Sequence, residues 1–171
     1  MIETVDSNTN SASRYSLAFQ FARNCLAGDR VWTGQVESLW GIYTRKFRIS
    51  SGGVIQGKDL LFDERIDFAD GESQNRSWRL LDTKDGVDLI ADNAMPIRLG
   101  EIEKGKFEIE YRLKMSGIWF RYTDIFDVDD RGNVSNIGII KIFGIPIMRV
   151  TAYSPGKAEL TSGFEVNAAF S

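Results

Sequence analysis

Residues 60–80, Leu60-Leu61-Phe62-Asp63-Glu64-Arg65-Ile66-Asp67-Phe68-Ala69-Asp70-Gly71-Glu72-Ser73-Gln74-Asn75-Arg76-Ser77-Trp78-Arg79-Leu80, constrain the fold more than any other stretch of the chain. Leu60, Phe62, Ile66 and Phe68 alternate with Asp59, Asp63, Arg65 and Asp67, the period of a strand with one dry and one wet face. Glu64 breaks the pattern on the dry side. A three-residue Ala69-Asp70-Gly71 loop, with Gly71 in the left-handed region, sets Phe62 opposite Trp78 and Glu64 opposite Arg76 on one face. A two-residue Asp70-Gly71 turn would leave Trp78 in solvent opposite Asp63, so the longer loop is the expectation. It brings Glu64 and Arg76 within ion-pair reach.

Turn signals recur from Val31 onward with no convincing helix between them. Gly52-Gly53, Asp70-Gly71, Asp85-Gly86, Lys104-Gly105 and Arg131-Gly132 punctuate alternating apolar runs. Phe107, Ile109, Tyr111, Leu113 and Met115 form one such face, and Ile118, Phe120, Tyr122, Phe126 and Val128 repeat it. An antiparallel meander of about nine or ten strands follows, and a meander that long curls; closing it into an up-and-down barrel removes its vulnerable edges. The expected class is therefore all-β, a calycin- or lipocalin-like antiparallel barrel, with a two-layer sandwich as the weaker alternative. Residues 1–13, polar and rich in Ser, Asn and Thr, read as a flexible tail, and residues 14–171 as a single β-barrel domain. Tyr15, Leu17, Phe19, Phe21, Ala22, Cys25 and Leu26 form a compact apolar stretch ending at Gly28, a short helix or irregular segment closing one end. Ile137, Ile139, Ile140, Ile142 and Ile147 read as a central strand pair buried on both faces.

Composition excludes more chemistry than it suggests. The chain contains no histidine, which removes Ser-His-Asp and Cys-His nucleophile systems, an imidazole general base and His-ligated haem, zinc or iron. One cysteine, Cys25, allows neither an internal disulfide nor a multi-cysteine metal cage. Lys and Arg total 21 against 24 Asp and Glu, and the scattered net charge of −3 favours neither nucleic acid nor an anionic membrane. There is no phosphate-binding Gly-rich motif, no EF-hand spacing and no apolar run long enough to span a bilayer. No metal and no cofactor is expected. Glu3 and Asp6 stand where an export signal carries positive charge, so the expected location is cytoplasmic.

Carried through the later hairpins, the same parity adds polar groups to the inner face. A Lys84-Asp85-Gly86 loop would pair Leu80 with Ile90 and Trp78 with Asp92; an Asp130-Arg131-Gly132 loop would pair Phe126 with Asn136 and Asp124 with Gly138. Glu64, Arg76, Asp92, Asp124 and Asn136, joined by Tyr111, then form an interior polar set. Buried charges need partners, water or a ligand. Three readings follow. The barrel holds a small hydrophobic or amphipathic ligand, with Phe62, Trp78, Tyr111 and Phe126 as walls and Glu64, Arg76, Asp92, Asp124 and Asn136 as its polar end. Alternatively the lumen is packed shut and the outer surface is an interaction module. Least favoured is a cofactor-free isomerase or hydrolase using a raised-pKa carboxylate, and no residue is assigned a catalytic role. Trp32, Trp40 and Trp119 fit core or barrel-end positions, and Lys141 a surface or paired one.

Trp32-Thr33-Gly34 followed by Trp40-Gly41, the run from Phe62 to Glu72, Arg76-Ser77-Trp78, Ala91-Asp92, Tyr111, Asp124 and Lys141-Ile142-Phe143-Gly144 resemble, in order and spacing, the bacterial family called Domain of Unknown Function 3833. The resemblance runs from about Leu26 to Tyr153 and sets Glu64, Arg76, Trp78 and Asp92 on motif positions. It implies no activity or substrate. Many members look like exported lipoproteins with a lipid-bearing cysteine; here Arg23 occupies a position that is apolar in such a signal, so that feature is expected to be missing.

Overall fold

The computed structural model describes residues 16–83, 86–92, 94–103 and 106–156. The expected tail at 1–13 and the end of the expected domain at 157–171 lie outside the described residues, as does the Lys104-Gly105 turn. Among the described residues one helix, α1 (Leu17–Leu26), precedes ten strands: β1 (Gly28–Ser38), β2 (Thr44–Gln56), β3 (Asp59–Phe68), β4 (Ser73–Thr83), β5 (Gly86–Ile90), β6 (Ala94–Glu103), β7 (Lys106–Met115), β8 (Ile118–Val128), β9 (Val134–Ile142) and β10 (Ile145–Ser154).

All ten strands form one antiparallel sheet in the order β5-β4-β3-β2-β1-β10-β9-β8-β7-β6, curled into a nearly closed barrel. The β1–β10 ladder joins the first strand to the last, so the seam falls between β5 and β6. These lie side by side, with no ladder between them among the described residues. Pro96, which has no N–H to give, sits in β6, where an edge strand tolerates it.

Two of the three hairpin registers read from turn parity stand. Gly71 has φ of 92° and the Phe68 amide donates to the Glu72 carbonyl at 2.8 Å, so Phe62 meets Trp78 and Glu64 meets Arg76. Gly132, at φ of 78°, sets the β8–β9 register of Phe126 with Asn136 and Asp124 with Gly138. The β4–β5 hairpin differs by one residue. Thr83 pairs with Gly86 and Leu80 with Leu89, so Ile90 lies opposite Arg79. The structure thereby turns Leu89 inward and leaves Ile90 outside, a slip that sequence could not decide because both residues are apolar. Gly52-Gly53 is not a turn; both lie within β2, and the β2–β3 connection turns at Gly57, with φ of 63°. Nor is the isoleucine-rich segment buried on both faces, because β9 is a single barrel wall with Ile140 inside and Ile137 half-exposed outside.

α1 closes one end. It touches β2, β4, β5, β6 and β7 and buries Phe19, Ala22, Cys25 and Leu26. Ser16 caps it: its Oγ accepts from the Phe19 amide at 3.2 Å and donates to Asp82 Oδ1 at 2.6 Å, fastening the helix start to β4. At the other end, the Arg30 guanidinium donates to the Asn24 carbonyl at 2.9 Å. The approach is close enough that a Cβ on Gly53 would stand 2.1 Å from the Leu26 carbonyl oxygen. This contact, not a turn, is what Gly53 serves.

Candidate functional site

Inward-facing side chains do not fill the barrel. An inner chamber of about 140 Å³ lies under α1, floored by Leu26, Leu80 and Leu89 and walled by Trp32, Phe62, Trp78, Tyr111 and Phe126. An outer chamber of about 350 Å³ extends toward the opposite end, among Val36, Tyr43, Phe47, Phe68, Met115 and Met148. Ile49, Ile66, Arg76, Tyr122 and Val150 line both, so the two chambers adjoin across these side chains.

Polar groups gather on one level of this greasy lumen. The Trp78 indole Nε1 donates to Glu64 Oε2 at 2.9 Å. Tyr111 donates its hydroxyl to Asp124 Oδ2 at 3.0 Å. The rings holding these donors pack together, Trp78 edge-on to Tyr111 at 5.4 Å and Tyr111 stacked on Tyr122 at 5.1 Å. Asp124 fits because residue 138 has no side chain; a Cβ there would lie 2.4 Å from Asp124 Oδ1.

Removal from water pushes the Glu64 carboxyl above its ordinary range; the Trp78 hydrogen bond and the Arg76 charge oppose the shift, and the Asp124 charge adds to it. Burial likewise raises Asp124, against hydrogen bonds from Tyr111 and Asn136 and the charge of Arg76. Tyr111 is held well above its usual value by burial and the neighbouring carboxylate, so its hydroxyl stays a donor.

Of the nine residues proposed from sequence, Phe62, Glu64, Arg76, Trp78, Tyr111, Asp124, Phe126 and Asn136 all line the inner chamber. Asp92 does not. It is exposed in the β5–β6 connection, because the one-residue shift ends the β4–β5 ladder at Arg79–Ile90 and gives Trp78 no partner on β5. The direct Glu64–Arg76 ion pair is also replaced: they are register partners, but Glu64 is bonded to Trp78 while Arg76 donates to Gln74 Oε1 at 3.2 Å. Tyr122 and Trp32 line the chamber as well, Tyr122 through the inward parity of β8. Among the described residues no group of three His, Cys, Asp or Glu side chains could hold a metal ion. No helix among them is long and apolar enough to cross a membrane.

A nearly closed ten-stranded antiparallel barrel, plugged at one end and hollow with a single polar level, defines the class of molecule. Residues 4–154 match the family described as "Protein of unknown function (DUF3833)", and the chain belongs to that family. No curated protein matches the chain. Among solved structures, the crystal structure of Rv2717c from M. tuberculosis is similar with a TM-score of 0.55 and 14% identity, over 84% of this chain and 99% of that one, a likeness of fold alone. The structure of EF1p2_mFAP2b bound to DFHBI is similar with a TM-score of 0.45 and 8% identity, over 83% of this chain and 100% of that one.

Proposed function

We propose that the barrel binds a small hydrophobic or amphipathic molecule in its lumen, with the apolar body among Phe62, Trp78, Tyr111 and Phe126 and the polar end at Glu64, Arg76, Asp124 and Asn136. The observation that carries this reading is the pair of adjoining apolar chambers that share one polar level at Arg76 and Tyr122. The outer chamber falls in the range of small-molecule sites, about 300–1,000 Å³, and a few convergent polar groups in an apolar cavity are their usual composition. Each Å² of apolar ligand surface taken from water contributes about 25 cal/mol. The donors and acceptors of the polar level fix which end of the ligand goes inward.

Titration with parinaric acid, a fluorescent fatty acid, tests this together with native mass spectrometry of freshly purified protein. The expected result is saturable binding of one probe per chain, lost in Ala152→Phe, which places a ring in the inner chamber, and in Val150→Phe, which places one where the two chambers adjoin. A folded wild-type protein that takes up neither probe nor co-purifying molecule would transfer the function to the outer surface.

Cytoplasmic residence belongs to the same proposal. Cleavage before Cys25, as in a lipidated protein, would remove Phe19 and Ala22, which are fully buried, and open the plugged end. Intact mass of the protein from its native cells should therefore retain α1.

A further inference from the structure

Three neighbouring turns at the open end push large apolar side chains into solvent. Trp40 is 67% and Ile42 86% exposed in the β1–β2 connection, and Phe143 is 94% exposed at the β9–β10 turn. Ile118 and Trp119 follow the β7–β8 turn. The turns are contiguous: the Leu39 amide donates to the Ile147 carbonyl at 3.1 Å, and one shallow groove runs from Gly117, Ile118 and Trp119 to Phe143 and Gly144. Its charged lining is wholly basic, from Arg112, Arg121 and Lys141, with Arg121 also reaching Glu110. The Lys114 ammonium lies 5.8 Å from the Trp119 ring centroid.

Phe143 is doubly out of place. Its φ of 50° is left-handed, where Gly or Asn fits and a bulky side chain is strained, and its ring is in water. Folding alone would favour another residue. Aromatic and aliphatic tips flanked by Lys and Arg match the chemistry of a bilayer interface, where amphipathic rings sit at headgroup depth and basic side chains meet anionic lipid. Tips standing on separate turns suit a soft surface better than a flat protein one.

We propose that the open end of the barrel docks on the surface of an anionic lipid bilayer, with Trp40, Ile42 and Phe143 entering the interface and Arg112, Lys114 and Lys141 contacting headgroups. The basic residues line this side of the rim, while Asp70 and Glu72 of the β3–β4 turn at the same end are held by Arg45. Tyr43 lies in the β1–β2 connection and also lines the outer chamber, so docking turns the lumen mouth toward the lipid. The proposal is independent of the lumen reading, since a barrel that bound nothing inside would dock in the same way.

Co-sedimentation of the full chain with vesicles of phosphatidylcholine alone, and of phosphatidylcholine mixed with phosphatidylglycerol, tests it. Binding is expected to the mixed vesicles, released by high salt, with a blue shift of tryptophan emission. Each of Arg112→Gln and Lys141→Gln should lower partitioning by about fivefold. Phe143→Asn should weaken binding while leaving the melting temperature unchanged or higher, because Asn tolerates the left-handed turn. Trp40→Ser combined with Phe143→Asn should abolish it. Failure to bind either vesicle, binding indifferent to these substitutions, or a concentration-dependent dimer dispersed by Phe143→Asn would each overturn the proposal, the last by showing a second copy over the rim.

Discussion

Glu64 and Asp124 are carboxyl groups held where water is scarce, and that position makes stability depend on pH. In the unfolded chain both ionise near the ordinary carboxylate value of about 4, whereas in the barrel burial delays ionisation to higher pH. Between those values the native state binds more protons than the unfolded state, so their contribution to stability falls as pH rises through the window. The cost is absent below the unfolded pKa and complete above the folded one. Glu64→Gln keeps an acceptor for the Trp78 indole and removes the titration. Its melting temperature should exceed that of the wild type at neutral pH, with a flatter profile, in thermal unfolding followed across the acid-to-neutral range; a variant that melts lower at neutral pH would refute this. Gly138 gives a second test. Gly138→Ala drives a methyl against Asp124 Oδ1 and should cost about 1–3 kcal/mol in denaturant unfolding, as overpacking does. Gly52→Ala, whose added Cβ would meet Asp29 Oδ1 at an ordinary 3.4 Å, should cost much less.

Among the elements, α1 holds most of the leverage. Phe19 has no accessible surface and belongs to the main core, so Phe19→Ala should cost about 3–5 kcal/mol by equilibrium unfolding. Ser16→Ala removes the helix cap and the hydroxyl's bond to Asp82, keeps the Ser16 amide's bond to the same carboxylate, and should cost about 1 kcal/mol. An equal, negligible cost for both would mean that the helix does not plug the barrel. The same segment marks a limit of sequence reading: at ten residues, α1 is too short for apolar spacing to separate helix from irregular coil. Hairpins were legible where a turn glycine and a polar-apolar contrast agreed, as at Gly71 and Gly132. At the β4–β5 hairpin both Leu89 and Ile90 are apolar, so turn parity alone does not separate the two registers, and the one the molecule adopts leaves Asp92 outside. Glu64 and Arg76 were correctly placed opposite one another, but their bonding was not, because an indole one pleat along reaches Glu64.

At the scale of the whole molecule, alternation and regular turn signals already dictated an antiparallel barrel. Whether its lumen is hollow could not be read, since free volume depends on barrel radius and on how side chains from ten strands meet across it. The collection of apolar tips at one end was equally invisible, because Trp40, Ile118 and Phe143 are far apart in the chain and each alone resembles a core residue. The four tryptophans are placed to report whether the lumen receives a ligand. Trp32 and Trp78 line the inner chamber, with the indole donors engaged by Ser51 and Glu64, while Trp40 and Trp119 stand at the rim. The most direct measurement is the set of indole N–H resonances during titration with a short-chain amphiphile below its micelle concentration. Lumen binding predicts that the Trp78 and Trp32 signals shift saturably while those of Trp40 and Trp119 stay in place; shifts confined to Trp40 and Trp119, or none at all, would contradict it.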